Sequence, residues 1–307
     1  MAYRSTARRA PVLLAALAPA LVLVALGPDA ARAADAVTDA PAAPVFDDAP
    51  SRSVLVGIGA TAAPLYEGSD EYRIAPFPII SYDSGVPGPR RFEFRALDDI
   101  RLHAARFGGF SFGPIAGYRF GRDEEDADIL DGLGDVEGGI VGGAFVAFDA
   151  PVSEFASVGL DIGVSHQFTG DPRDDDFLDD IGFDNGYGYI IDFGASANIA
   201  VTPRIDLALR AGAEYADDDY MQTHFGISPT QAASSAAAGP ALGGFDAEGG
   251  IKNVYLNANA AFDVTDKIQL RAGAGYSRLL GDAADSPVSV DDNQFTGSLG
   301  VAYRFEF

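Results

Sequence analysis

Residues 293–307, the last fifteen of the chain, alternate at every second position between apolar and small or polar side chains. The apolar set is Phe295, Gly297, Leu299, Val301, Tyr303, Phe305 and Phe307. Because successive side chains of a β-strand point to opposite faces, this pattern predicts a strand with one apolar face and one small, polar face. The aromatic residues at its end are typical of a closing barrel strand whose outer face meets lipid and whose end lies at the membrane interface.

The N-terminal 33 residues have the three parts of an export signal. Arg4, Arg8 and Arg9 precede an apolar run from Val12 to Leu26, and the small-x-small sequence Ala31-Arg32-Ala33 predicts the cleavage site. No later stretch approaches the ~20 continuous apolar residues that a membrane-spanning helix needs. We therefore expect a membrane-embedded mature chain to be a β-barrel, the other structure that satisfies its backbone hydrogen bonds in lipid.

The predicted organisation has three parts: a signal peptide at 1–33, a lead-in at 34–52 and a barrel at 53–307. The lead-in is rich in Ala, Pro and Asp without periodicity, which predicts a disordered periplasmic segment. From Ser53 onward the two-residue alternation continues to the C-terminus.

The composition excludes several classes of function. The chain has 21 Lys and Arg against 45 Asp and Glu, so binding to nucleic-acid phosphates is not expected. It contains no Cys, which removes disulfides, thiol nucleophiles and Cys-ligated zinc. No cofactor is expected.

Strand positions follow from the alternation. Beyond the last strand, strands are predicted from Ser53 to about 60 and at about 72–82, 110–120, 137–148, 155–168, 187–200, 205–216, 250–264 and 268–279. Residues 90–104 form either one strand or two strands that turn at Asp98-Asp99. Because bacterial single-chain barrels have an even strand number, we split this stretch and predict twelve strands. Ten is the alternative, if the second strand, which carries Pro76 and Pro78, does not span.

The connections alternate in length. Short ones are predicted at 105–109, 149–154, 201–204 and 265–267, and long, Asp-rich ones at 121–136, 169–186, 217–249 and 280–292. This asymmetry is typical of periplasmic turns and extracellular loops. The predicted fold is therefore all-β: a single transmembrane antiparallel up-and-down barrel in the outer membrane of a Gram-negative bacterium, in contact with lipid and lipopolysaccharide. A soluble β-sandwich or periplasmic barrel is the alternative, and it would require the apolar face to point inward.

Four stretches of the sequence resemble one family. They are APLYEGSDEYRIAPFPIISY (63–82), GPIAGYRFGRDEEDADILDGLGDVEGG (113–139), YADDDYMQTHFGISPTQAAS (215–234) and YSRLLGDAADSPV (276–288). Together they resemble the MipA/OmpV family of outer-membrane proteins, the MltA-interacting proteins. The resemblance implies a scaffold that links a lytic transglycosylase to a bifunctional penicillin-binding protein. Other members of the family are antigens or porin-like proteins.

Dense carboxylates in the long loops suggest divalent-cation sites, because hard cations take oxygen ligands. The candidates are Asp123, Glu124, Glu125 and Asp126 in one loop and Asp174, Asp175 and Asp176 in another. The alternative is a solvated, repulsive surface, since the spacing matches no EF-hand loop.

Charged residues on the inward-facing parity are candidates to line the lumen. They are Arg210, Arg271, Arg304, Asp192, Asp206 and Glu214. Such residues form either a charged plug or a polar pore lining. The three histidines, His103, His166 and His224, form no recognisable set of nucleophile, base and orienting group in the sequence.

Three functions remain open at this stage. The first is a non-enzymatic scaffold for murein-synthesising and lytic enzymes, as the resemblance implies. The alternative is a small porin-like diffusion channel for hydrophilic solutes. An outer-membrane hydrolase is the third and least favoured.

Overall fold

The computed structural model describes residues 53–83, 92–169 and 187–306. The predicted signal peptide and lead-in, residues 1–52, lie outside the described residues. So do Asp174, Asp175 and Asp176.

The described residues contain strand segments near the positions that the alternation predicts. They are β1 (Ser53–Pro64), β2 (Tyr72–Asp83), β3 (Phe92–Phe94), β4 (Ile100–Leu102), β5 (Ala105–Phe107), β6 (Phe110–Arg119), β7 (Gly139–Ser153), β8 (Ala156–Gln167), β9 (Tyr189–Thr202), β10 (Ile205–Ala216), β11 (Gly250–Asp263), β12 (Ile268–Leu279) and β13 (Asn293–Glu306). There are two differences: β5 lies within the predicted connection 105–109, and β7 extends into the predicted connection 149–154. Three helices lie in the connections: α1 (Asp218–Phe225), α2 (Pro229–Ala238) and α3 (Asp282–Asp285).

All the described strands belong to one antiparallel sheet whose order is β2-β1-β13-β12-β11-β10-β9-β8-β7-β6-β4-β3. β4 and β5 both pair with β6 and are two segments of one interrupted strand, so twelve strands make up the wall. β1 pairs with β13 from Ser53↔Glu306 to Ala62↔Gly297. β2 and β3, the two ends of the sheet, contact each other, and the result is a nearly closed barrel.

The predicted all-β barrel is confirmed, with twelve strands and not ten. The split of residues 90–104 is also correct, because β3 and β4 form a short hairpin in which the Arg95 backbone N–H donates to the Asp99 carbonyl over 3.0 Å. β2 is a full strand despite Pro76 and Pro78, and it lies at an end of the sheet, where proline is tolerated.

The apolar face of each strand points outward. Phe193 is 42% exposed and Val301 45%, although both are large and apolar. Inward positions on the same strands carry Asp192 and Arg304. A soluble barrel would bury Phe193 and Val301, so the expectation that lipid covers this face is the one that the structure supports. No helix among the described residues is long and apolar enough to span a membrane.

The long loops pack together into what we call the loop cap, made of residues 65–71, 120–138, 217–249 and 280–292. Its apolar core includes Leu130, Tyr220, Met221, Phe225 and Val288, all at most 2% exposed. Tyr66 Oη donates to the Val288 carbonyl over 3.2 Å, and Ser286 Oγ donates to the Phe225 carbonyl over 2.5 Å. The expectation of long polar loops is therefore incomplete, because much of their apolar content forms a core of its own.

The two longer helices of the loop cap begin at conventional N-caps. The Asp217 carboxylate accepts a hydrogen bond from the Tyr220 backbone N–H at the start of α1. Ser228 and Gln231 form a reciprocal capping box at the start of α2, with Pro229 in the first turn. α1 places Tyr220, Met221 and Phe225 in the apolar core, where they pack with the strand-end residues Ile190 and Ala216.

Candidate functional site in the barrel lumen

A network of ion pairs crosses the lumen from the β3–β4 hairpin to β8. The Asp161 carboxylate on β8 accepts Arg95 Nη1 at 2.9 Å, Arg101 Nη1 at 2.8 Å and Arg210 Nη1. β6 and β7 separate β4 from β8 in the sheet, so Arg95 and Arg101 reach Asp161 through the interior and not along the wall. Arg101 is 1% exposed, which places its guanidinium inside the barrel, away from water.

The network continues onto β9 and β11. Arg101 also binds the Asp99 carboxylate at 2.7 Å and lies 3.3 Å from Asp192. Asp192 accepts Arg210 Nη2 as well as a 2.5 Å hydrogen bond from Tyr255 Oη. Each buried cation therefore has carboxylate partners, as buried charges require. Removal of one partner would leave an uncompensated charge inside the barrel.

Glu93, His103 and Ser111 form a second inward-facing group. His103 Nδ1 lies 2.9 Å from Ser111 Oγ, and His103 Nε2 lies 3.4 Å from Glu93 Oε2. The fold thus brings together a serine, a histidine and a carboxylate that form no recognisable set in the sequence. Ser111 is 2% exposed, however, so its hydroxyl is not open to an incoming acyl group.

The other two histidines lie apart from any such set. His166 Nδ1 contacts the Gly188 carbonyl, and its ring packs edge-on against Phe168. His224 stacks on Tyr220 with ring centroids 4.2 Å apart in the loop cap.

Lys252 joins the loop cap to the barrel wall. Its Nζ lies 2.5 Å from Glu67 Oε1 in the β1–β2 loop and 3.0 Å from Glu214 Oε2 on β10. Tyr220 Oη donates to the other Glu67 oxygen over 3.0 Å, and the ammonium lies 5.1 Å from the centroid of the Tyr220 ring. Lys252 itself is 2% exposed. A single buried cation therefore connects a loop, a helix of the cap and two strands.

The surroundings of this cluster shift the pKa values of its loop residues. Burial would raise the pKa of Glu67, but the Lys252 ammonium outweighs it and holds that pKa below its ordinary value. Burial and the nearby Glu67 carboxylate raise the pKa of the Tyr220 phenol. Burial, together with Arg119, Arg122 and Lys252, lowers the pKa of His224 well below its ordinary value. At neutral pH Glu67 is thus ionised, while Tyr220 and His224 are uncharged.

The first acidic cluster is bonded to its own loop. The Asp126 carboxylate accepts the Asp123 backbone N–H at 3.1 Å, and Glu124 Oε2 accepts the Gly134 N–H at 3.2 Å. Asp135 in turn accepts the Glu124 N–H at 2.8 Å. Within the described ranges, no three Asp, Glu or His side chains converge as metal ligands, and this includes Asp123, Glu124, Glu125 and Asp126. Divalent-cation binding by this loop stays a prediction.

The candidates for lining the lumen occupy three levels of the interior. Arg210 and Asp192 belong to the crossing network, and Glu214 contacts Lys252 under the loop cap. Near the short-turn end, Arg304 Nη2 lies 3.1 Å from Asp263, Arg271 Nε donates to Gln269 over 2.8 Å, and Asp206 is exposed.

Sequence reasoning missed three residues at the centre of these groups. Asp161 lies between Leu160 and Ile162 on a predicted strand, so its inward parity was available as a signal. Lys252 has the outward parity of Val254 and Leu256, and it is buried because the β10–β11 register shifts between Glu214 and Tyr215. Glu67 lies in a loop, where no periodicity indicates a contact with a residue 185 positions away.

Comparisons with known proteins agree with this architecture. The family model described as MltA-interacting protein MipA matches residues 56–305. Outer membrane protein OmpV of Vibrio cholerae serotype O1 is 31% identical over 119 residues, which is 39% of this chain and 40% of OmpV. The matched stretch thus spans less than half of that relative.

Solved outer-membrane barrels resemble the chain more distantly. Ail, the attachment invasion locus protein of Yersinia pestis, is 13% identical over 83% of this chain and 98% of its own, with a TM-score of 0.23. The COG4313 outer membrane channel of Pseudomonas putida F1 is 13% identical over 87% of this chain and 100% of its own, with a TM-score of 0.36. At these TM-scores neither likeness bears on function.

The family match covers nearly the whole barrel, from near the start of β1 to near the end of β13. With its outward apolar face, twelve-stranded wall and outer-membrane relatives, the chain belongs to the MipA family of outer-membrane proteins.

Proposed function

We propose that this barrel is a docking partner for periplasmic murein enzymes, a lytic transglycosylase and a bifunctional penicillin-binding protein, and that it is not an open channel. The observation that carries the proposal is the loop cap, whose apolar core packs over one end of the barrel. Beneath the cap, the Asp161 network crosses the lumen. Both features hinder passage through the molecule and leave the short-turn end as the surface offered to the periplasm.

The short turns are the surface that we assign to docking. They are residues 108–109, 154–155, 203–204 and 264–267, and they carry the exposed side chains Phe155 and Lys267. The description of the family as MltA-interacting supports a lytic transglycosylase as one partner.

Surface plasmon resonance with the purified, immobilised barrel tests the proposal. A soluble lytic transglycosylase from the same cells is the analyte. Replacement of 154–155 and 264–267 by Asn-Gly turns should weaken binding at least tenfold. The matched control replaces Asp123 and Glu125 by Asn and Gln in the loop cap, at the opposite end, and should bind like the wild type. No binding by the wild-type barrel, or equal binding by the turn variant, contradicts docking at this face.

A small diffusion channel is the second candidate, and one observation favours it. The inward-facing side chains Asn198, Asp206 and Asn259 are exposed, so this side of the lumen admits water. Planar-bilayer recording separates the two functions, because a docking barrel with a closed cap should give no conductance steps. Regular steps from the wild-type protein would favour the channel.

A further inference from the structure

The strand register assembles an uncharged belt around the inner wall. Ser157 pairs with Asn198, which is opposite Ala208, and Ala208 pairs with Asn259. Asn259 pairs with Gly273, Gly273 with Ser298, and Ser298 with Thr61. These direct pairs run without a break from β8 through β13 to β1. We call Ser157, Asn198, Asn259, Ser298 and Thr61, the five polar members, the neutral belt.

Charged positions flank the neutral belt on both sides. Two residues toward the loop cap on β11, Asn257 pairs with Arg210. Two residues toward the short turns, Ala261 is opposite both Asp206 and Arg271. Around β10 to β12 the uncharged belt therefore lies between Arg210 on the cap side and Asp206 and Arg271 on the short-turn side. Arg210 is already bound to Asp161 and Asp192.

The belt has room and unused hydrogen-bonding capacity. Asn198 and Asn259 are exposed in the lumen. A Cβ atom at Gly273 would lie 2.5 Å from Ser298 Oγ and 2.7 Å from Asn259 Oδ1, so these two side chains share the space over the glycine. Within the described part of the chain, the side chains of Asn198, Asn259 and Ser298 make no hydrogen bond, whereas Thr61 donates to the Gly297 carbonyl over 3.3 Å.

We propose that the neutral belt is a binding surface for an uncharged, polyhydroxylated solute of the saccharide class that enters from the short-turn end. An amide offers two donors and an acceptor, and a hydroxyl offers both roles, which matches the mixed donors and acceptors of sugar hydroxyls. The belt contains no charge that would compensate for the desolvation free energy of an ionic ligand. The core of the loop cap packs against the far ends of the strands, so the short-turn end is the entrance that we assign to the solute.

Titration of the purified barrel, followed by saturation-transfer NMR, tests the proposal with three probes. Sucrose is the neutral probe, gluconate the anion and glucosamine the cation. We expect saturable binding of sucrose and at least tenfold weaker binding of both charged probes. This comparison needs no variant, so it stands even if lumen substitutions prevent folding. No saturable sucrose binding, or equal binding of a charged probe, would overturn the proposal.

Two variants then locate the site. Asn198→Leu with Asn259→Leu removes the amides at similar volume and should weaken sucrose binding at least tenfold. Asn198→Gln with Asn259→Gln keeps the amides and is the matched control, with binding within threefold of the wild type. Unchanged sucrose binding in the Leu variant would place the site elsewhere and refute the belt. Binding of a transglycosylase at the short turns is measured separately, so the two proposals fail independently.

Discussion

At the scale of single residues, the interior is organised around buried charges that each have several partners of opposite sign. Asp161 binds Arg95, Arg101 and Arg210, and Lys252 binds Glu67 and Glu214. Buried ion pairs add little stability when compared with apolar replacements, but the loss of one partner is costly because the other charge stays buried. Single substitutions should therefore be more damaging than paired ones.

Lys252→Met tests, at the loop cap, whether the loss of one member of a buried ion pair is destabilising. The change leaves Glu67 and Glu214 close together beneath Tyr220, and we expect the free energy of unfolding to fall by about 3 kcal/mol. Urea unfolding in lipid vesicles, followed by electrophoretic mobility, measures the loss. Lys267→Met in an exposed turn is the control and should change stability by about 0.5 kcal/mol or less. Adding Glu67→Gln to Lys252→Met should restore part of the stability, and a further loss would argue against the pairing.

His224 should make the loop cap sensitive to pH. Its pKa in the folded protein is depressed below the ordinary value, so the unfolded cap binds the proton more readily. Stability of the cap is therefore full above about pH 6.5 and declines as the pH falls from 6.5 toward the folded-state pKa, by at most about 1.4 kcal/mol per pH unit. Hydrogen exchange of α1 at pH 7.5 and pH 5.5 measures the effect. His224→Gln should remove the difference, and an identical difference in that variant would assign it to another group.

Ser111 should be unreactive toward a fluorophosphonate. The hydroxyl contacts His103, but it is 2% exposed and no substrate can reach it. Mass spectrometry after labelling of the folded barrel checks this expectation. If Ser111 is labelled in the wild type and the labelling is lost in His103→Gln, the result would instead identify a hydrolase.

At the scale of elements, strands and loops differ in how far the sequence predicts them. A strand in lipid must be apolar at every outward position, so parity alone places β9, β10 and β12 within about two residues. The loops obey no such period. Leu130, Phe225 and Val288 are scattered among aspartates, and only the folded loop cap shows that they share a core. Parity likewise finds inward charges such as Asp161, but it misses Lys252, which follows a register shift. Which charges meet across the lumen depends on register and on the β3–β4 hairpin.

Phe225→Ala should loosen the loop cap without disturbing the barrel. Phe225 is fully buried in the cap core, and its removal costs about 3–5 kcal/mol in a packed core. We expect faster proteolysis within residues 217–249. Boiled and unboiled samples should still differ in electrophoretic mobility, as they do for a folded barrel. Ala236→Gly on the exposed side of α2 is a milder control of about 1 kcal/mol. Resistance of Phe225→Ala to protease would show that the cap does not depend on this core.

At the scale of the whole molecule, the barrel closes by pairing its first and last strands. β13 is hydrogen-bonded to both β12 and β1 along nearly its full length. The barrel wall is therefore incomplete until the C-terminal strand is in place.

Deletion of residues 293–307 should abolish the folded barrel. The truncated chain would expose the edges of β1 and β12 to lipid, where unpaired backbone groups are not tolerated. Electrophoretic mobility without heating reports the folded form. The control removes Phe307 alone, which leaves every described pair of β13 intact, and should still fold in vitro. A folded band from the long deletion would contradict closure by β13.

The Ser53↔Glu306 pair has a practical consequence for anything attached to this protein. Directly opposed residues of an antiparallel ladder are about 5 Å apart, so a reporter fused ahead of β1 and one fused after β13 emerge side by side on the same face of the membrane. The two halves of a split fluorescent protein, attached at these two positions, would combine only after β1 and β13 have paired. Their fluorescence would therefore report when the barrel assembles in living cells.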